Sequence, residues 1–351
     1  MRAVVMNANV LSVEAWPDPV PQVGQTLVRT IACGICGSDL HFLRHGPKMA
    51  ELSALANKRD QRPPLDFSRG IVMGHEFAAE VLEHGSGTEG PKPGRAVVSM
   101  PILVAGATPG AYGSPEFTPI GYSNDVSGGF AERMVLSSML LLEVPNGLDP
   151  RHGALTEPMA VGAHAVAKAH MERGESAVVH GCGPVGLSVI AALRLAGVET
   201  VVAGDFSSAR RALAQRLGAT EVVDPAQEPT MDAWYRVDGA SSLVQFECIG
   251  VPGILDLTMQ EAPRNSRIVV VGACMERDHV HPMFGIGKEL NLQFVLGYTP
   301  EEFAATLRNI AEGHLDVAPL VTGSVDLHGV PQAFGDLADP EEHVKILVQP
   351  N

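Results

Sequence analysis

The rhythm of apolar and polar positions changes twice along the chain, near residue 146 and again near residue 298. In the first portion, short β-branched runs such as 26–32 and 96–100 are broken by Pro, Gly and Asp. Runs of that length, bounded by turn residues, predict strands, so this portion reads as a β-dominated domain. Beyond Pro145, residues 159–169 have a helical composition, and alternating strand and helix patterns run on to about Leu296. Strands are predicted over 176–180, 199–205, 242–247 and 267–272, with a long apolar helix after residue 186. Such alternation predicts an α/β layer on a parallel sheet. A helix over 301–313 and a last strand over 344–348 look like a return to the first domain. The predicted division is 1–158 with 295–351 as one domain and 159–294 as the other. No internal repeat or low-complexity tract is present.

The stretch 160–205 carries the clearest chemistry. The strand 176–180 runs into Gly181, Gly183 and Gly186, spaced G-x-G-x-x-G, then into a helix, and the next strand ends in Asp205, 24 residues beyond Gly181. Strand, glycine loop, helix and a strand ending in a carboxylate form the dinucleotide-binding fingerprint. Gly181 permits the tight turn, Gly183 lets backbone approach a pyrophosphate, and Gly186 lets helix and strand pack closely. The helix N-terminus favours the phosphate charge. Asp205 is placed to accept hydrogen bonds from ribose hydroxyls and to repel a 2′-phosphate, which favours NAD over NADP. Arg210 and Arg211, just beyond, partly offset that charge or form a solvated helix face.

Composition narrows the setting. A net charge of −15 over 351 residues argues against nucleic-acid and anionic-membrane partners. Five scattered cysteines are too few for a disulfide framework, which suits a reducing compartment. The opening residues contain no apolar core of signal-peptide length, and no uninterrupted apolar run approaches a membrane span, so a cytoplasmic protein is expected. Cysteine, histidine and carboxylate recur in glycine-flanked loops at Cys33, Cys36, Asp39 and His41, and at Gly74, His75 and Glu76. Those side chains bind zinc. Taken singly, Cys36 also reads as a buried apolar thiol and His75 as a core histidine. Cys33 and Cys36 form a C-x-x-C, but the thioredoxin-like setting of a redox pair is missing, and Cys33 reads as a packed small residue.

Residues 34–41, Gly74-His75-Glu76, 128–132, Glu157-Pro158, 181–186, Asp205 and 288–290, in that order, make the chain resemble the zinc-dependent medium-chain alcohol and polyol dehydrogenases. The resemblance runs nearly end to end. It implies an α/β protein in which a GroES-like β-rich catalytic domain is made from both chain ends, with a Rossmann domain inserted between. It implies Cys36, as thiolate, and His75 as zinc ligands, with Glu157 or Glu76 as a third. Ser38 and His41 resemble the family's proton relay, in which the serine hydroxyl passes a proton through the ribose hydroxyl to a solvent-facing imidazole. For the cofactor, the resemblance implicates Gly181, Gly183, Pro184, Val185, Gly186, Asp205, Arg210, Ile249 and Val271. The implied reaction is hydride transfer between an alcohol, or its carbonyl product, and NAD, in a homodimer or homotetramer. Zinc-free quinone or enone reductases of the same architecture generally lack the cysteine and histidine. A binding protein that has lost activity is the rival of another class.

Two departures stand out. Many relatives bind a second, structural zinc through four close cysteines, but residues 99–129 contain none, so one zinc is expected. The separation of Cys36 from His75, 39 positions, is longer than the family usually has. Within this 42–73 insertion, Met49, Leu52 and Leu55 or Ala56 recur at helical spacing and predict a short amphipathic helix, within 47–60, laid against the body. Six basic residues (Arg44, Lys48, Lys58, Arg59, Arg62, Arg69) against Glu51, Asp60 and Asp66 suggest a basic cap over the active-site entrance, or else a surface loop or subunit contact.

Overall fold

The computed structural model describes residues 1–56, 65–104, 117–145 and 147–350. Its largest sheet is centred on the strand Gln25–Gly34, which pairs antiparallel with Glu76–His84, Arg133–Ser137 and Lys345–Val348. Ala96–Val98 and Leu142–Glu143 extend it on one side, Val321–Val325 on the other. The chain's last strand is thereby hydrogen-bonded to one of its first. The burial of Gln25–Gly34 alternates until Ala32, Cys33 and Gly34, all of which are buried. The alternation is that of a half-buried strand, and its loss marks where the strand dives between layers. Arg2–Asn7, Val10–Ala15 and Ile71–Val72 form a small sheet beside it.

The second large sheet is wholly parallel. Its order is Glu221–Val223, Val201–Gly204, Ser176–His180, Leu243–Glu247, Arg267–Val270, Asn291–Phe294. Numbered from Ser176–His180, that order is 3-2-1-4-5-6, the doubly wound arrangement in which ligands bind beyond the carboxyl ends of the strands. Its central strands are buried almost throughout, as strands covered by helices on both faces must be. The helix Thr156–Ala169 packs against Pro184–Leu195 with no room to spare: a Cβ at Gly162 would lie 2.3 Å from the carbonyl carbon of Ser188. Thr299 and Glu302 close a capping box on the helix Pro300–Ala311, which returns the chain to the first sheet. Among the described residues no helix is long and apolar enough to cross a membrane.

The insertion matches expectation in part. Gly37–Ala56 is helical on both sides of a kink, where His45 leaves helical geometry two residues before Pro47, and the segment after the kink is the expected short helix. Proline cannot donate to the preceding turn, which accounts for the bend. The first half of this helix is anchored: Phe42 is buried and meets Phe67 at a ring separation of 5.8 Å. Met49 is partly buried against the same core, but Leu52 and Leu55 are exposed, so the predicted apolar stripe is not laid on the body. Of the basic side chains, Lys48 pairs with Glu51 and Arg69 with Asp125. Lys58, Arg59, Asp60 and Arg62, with the rest of 57–64, lie outside the described residues, as does the side chain of Ala56.

Candidate active site

Strand register assembles the first group of residues. Gly34 pairs with Glu76, Cys36 follows two residues after the first strand, and His75 precedes the second. One ligand atom from each of Cys36, His75 and Glu76 lies within 4.8 Å of the others, with His75 and Glu76 buried and Cys36 half-buried. Glycine at 34 is obligatory here, because a Cβ would come within 2.1 Å of Glu76 Oε2. Asp39, in the first turn of Gly37–Ala56, accepts from the Cys36 backbone N–H at 2.9 Å and lies 3.3 Å from His75 Nδ1. The carboxylate thus fixes the backbone at Cys36 and lies beside the imidazole, whose buried Nδ1 makes no hydrogen bond among the described residues. A thiol, an imidazole and a carboxylate converging in a buried site are a donor set suited to zinc.

Glu76 has a partner that was not expected. Lys345, on the last strand, places its ammonium 2.7 Å from both Glu76 oxygens and donates to the Ile35 carbonyl at 3.1 Å. The pair is buried, with both side chains 1% exposed. Burial alone would lower the Lys345 pKa, but the Glu76 carboxylate and then the Cys36 sulfur hold it above its ordinary value. Glu157 lies outside the tight group of three. Its Oε1 accepts from the Tyr298 hydroxyl at 2.9 Å, and burial pushes its carboxyl up to about 7.

Ser38 and His41 share the Gly37–Ala56 helix. Ser38 Oγ is 3.4 Å from His75 Nε2 and 2.9 Å from the Tyr122 hydroxyl, which in turn donates to Asp39 Oδ1 at 3.3 Å. His41, one turn on, is exposed; partial burial, then the nearby His45 and Arg44, depress its pKa. Cys33 is fully buried, and that burial raises its thiol well above the ordinary range, which fits a packed residue rather than a redox partner of Cys36.

The glycine loop sits at the carboxyl end of Ser176–His180. Gly181 has φ +87°, and a Cβ on Gly186 would lie 1.9 Å from the Gly181 carbonyl oxygen. Gly183 differs: a Cβ there would meet nothing within 4 Å, so the space over the loop is open. Pro184 begins the following helix, with Val185 in its first turn, and its missing N–H is no loss there. Asp205 accepts from the Cys182 and Ser207 backbone N–H groups, at 2.7 and 2.8 Å. Arg211 donates to the carbonyls of Asp205 and Phe206 rather than to the Asp205 carboxylate. Arg210 Nε is buried without a partner. Ile249 and Val271 follow the fourth and fifth parallel strands, on the same rim as the loop.

Tyr122, Tyr298 and Lys345 were not identified from the sequence. Each lies far along the chain from the residue it serves, and no local spacing ties them together. Asp39, a carboxylate of the 34–41 run, accepts from the Cys36 backbone and is not one of the three converging ligand atoms.

Two family models match. The alcohol dehydrogenase GroES-like domain matches residues 22–146 and the zinc-binding dehydrogenase domain residues 184–312. The chain is 34% identical to an (R,R)-butanediol dehydrogenase of Bacillus subtilis (strain 168), over 98% of each chain. The crystal structure of 2R,3R-butanediol dehydrogenase from Bacillus subtilis superposes with a TM-score of 0.84 at 32% identity, covering 100% of this chain and 99% of that one. A structure from Sinorhizobium meliloti 1021, described as a zinc-binding dehydrogenase bound to NADP, superposes with a TM-score of 0.82 at 28% identity, covering 99% of each chain.

Proposed function

The chain belongs to the zinc-dependent medium-chain alcohol and polyol dehydrogenases, and we propose that it oxidises a small alcohol or diol, or reduces the matching carbonyl, with one zinc and NAD. The convergence of Cys36, His75 and Glu76 within 4.8 Å carries this reading. Cys36 and His75, with a carboxylate from Glu76 or Glu157, would hold the zinc, which would supply Lewis acidity toward an alcohol oxygen, while a bound nicotinamide would supply the hydride acceptor. Ser38 Oγ, 3.4 Å from His75 Nε2, takes the alcohol's proton as it gives up its own. Exposed His41 lies one turn further along the same helix and releases a proton to water. Asp39 fixes the backbone at Cys36 and places its negative charge 3.3 Å from His75 Nδ1.

The NAD preference rests on Asp205, whose carboxylate is fixed by two backbone donors at the end of the second parallel strand. The single zinc rests on the absence of cysteine from 99–129. We take residues 1–158 with 295–351 as the catalytic domain and 159–294 as the nucleotide domain. A homo-oligomer is supported by the edge strand Asn291–Phe294, which pairs on one side only among the described residues. Phe294 on this strand and Leu296 just beyond it are 63 and 74% exposed. An apolar edge of that kind suits pairing with a second copy, and a Phe294→Glu variant should shift the mass measured by light scattering toward the monomer.

Elemental analysis combined with alcohol-dependent NADH formation tests the whole. One zinc per chain and turnover are expected; Cys36→Ala and His75→Ala should abolish turnover yet still bind NAD. Two zincs per chain would overturn the single-site reading, and better use of NADP would overturn the cofactor reading.

A further inference from the structure

The helix Ser208–Leu217 begins three residues beyond Asp205, behind the N-cap Ser207. A helix start presents backbone N–H groups with no partner of their own, and it favours an anion. In this protein an anion from the same chain is already there. Glu341 Oε1 accepts from the Ser208 backbone N–H at 2.9 Å; Oε2 accepts from the Ser208 hydroxyl at 2.9 Å and from the Ala209 N–H at 3.4 Å. The adjoining contact is part of the same seat: the Ser207 hydroxyl donates to the Pro340 carbonyl at 3.0 Å. Asp339 accepts from the Glu341 N–H and shapes the turn that delivers the side chain. Hydrogen bonds from Ser207 and Ser208 hold the Glu341 carboxyl below its ordinary range, so it is charged at neutral pH.

On the reading above, the adenosine ribose lies with its 2′-oxygen on Asp205. A phosphate esterified at that oxygen has to project past the carboxylate, onto the residues that follow the strand. Beyond the exposed Phe206 these are Ser207, Ser208 and Ala209, with Arg210, whose Nε has no hydrogen-bond partner, one step further. Hydroxyls, helix N–H groups and an arginine are what a 2′-phosphate needs. Glu341 takes the N–H and hydroxyl of Ser208 and the N–H of Ala209, and adds a second carboxylate to that of Asp205.

We propose that Glu341 is a second cofactor-specificity residue: its carboxylate occupies the helix start that a 2′-phosphate requires and repels that phosphate. This rests on the dinucleotide reading of the parallel sheet. A consequence is that replacing Asp205 alone leaves one repelling carboxylate at the phosphate position. Each carboxylate removed admits the phosphate further, and removing both admits it most.

The test is calorimetric titration of the full-length protein with 5′-AMP and with adenosine 2′,5′-bisphosphate. Glu341→Gln should tighten the bisphosphate by about ten-fold relative to 5′-AMP, since a unit charge a few ångströms from a phosphate is removed. The gain should shrink at high salt, as an exposed charge effect must. Asp205→Ser with Glu341→Gln should gain more than Asp205→Ser alone. Glu341→Ala guards against the amide holding the same seat. An unchanged bisphosphate-to-AMP ratio in both Glu341 variants would overturn the proposal and leave Glu341 a tether only. Failure of the native protein to bind 5′-AMP would overturn the dinucleotide reading, and this proposal with it.

Discussion

The two halves of the candidate site are built from different material. At the glycine loop the work falls to backbone: an open space over Gly183, close packing of Gly186 on Gly181, and two N–H groups fixing Asp205, all within 181–207. At the cysteine-histidine site it falls to buried, charged side chains drawn from positions 36 to 345. A backbone site tolerates changes in its neighbours but not an added atom. A side-chain site tolerates small changes of volume but not the loss of a charge partner, because the remaining charge stays buried.

The largest effect should come from Lys345→Met. It leaves the Glu76 carboxylate buried beside Ile35 without its ammonium, at a cost of about 3–5 kcal/mol in urea unfolding. Adding Glu76→Gln should restore most of that loss. If Lys345→Met alone shifts stability by less than about 1 kcal/mol, the pair does not hold the site together.

The glycine loop should fail differently. Gly186→Ala puts a methyl 1.9 Å from the Gly181 carbonyl oxygen and should cost about 1–3 kcal/mol along with nucleotide binding. Gly183→Ala meets nothing within 4 Å and should fold normally while binding NAD more weakly. Equal melting temperatures for the two variants would contradict the contrast.

Tyr122→Phe removes the hydroxyl shared by Ser38 and Asp39 but keeps the ring beside His75. We expect about 1 kcal/mol of destabilisation and turnover lower by roughly ten-fold, with zinc content and NAD affinity intact. Unchanged turnover would make Tyr122 a packing residue.

The smallest effect concerns His180, next to the loop, whose Nε2 pairs with Gln245 Oε1 at 2.9 Å. Burial lowers its pKa below the ordinary 6.5. Above 6.5 the imidazole is neutral in both states and contributes nothing. As pH falls through 6.5, the unfolded chain takes up a proton that the folded one does not, so stability falls until the folded pKa is reached. Urea midpoints at about pH 7.5 and about pH 5.5 should therefore differ less in His180→Asn than in the native protein.

Much of the fold was legible because its signals are local. The strand 176–180 is found as Ser176–His180, the helix 301–313 as Pro300–Ala311, and the final strand 344–348 as Lys345–Val348. The 42–73 insertion was read less well. Helical spacing at Met49, Leu52 and Leu55 identified the helical segment after the kink at His45 but not the one before it, from Gly37, nor that Leu52 and Leu55 face outward. Spacing reports periodicity; what a face packs against is settled by the rest of the molecule.

The glycine fingerprint, the carboxylate just beyond the second strand and the kinds of side chain available to a metal were all readable along the chain. Each depends on neighbours within a few dozen residues, where spacing along the chain is spacing in space. Only the tertiary structure decided that Lys345 neutralises Glu76, that Tyr298 takes Glu157, that Tyr122 bridges Ser38 and Asp39, and that Glu341 sits on the helix after Asp205. Those contacts join residues 83 to 269 positions apart. The reason is physical: a buried charge needs a partner wherever packing supplies one, and packing follows sheet register rather than order along the chain.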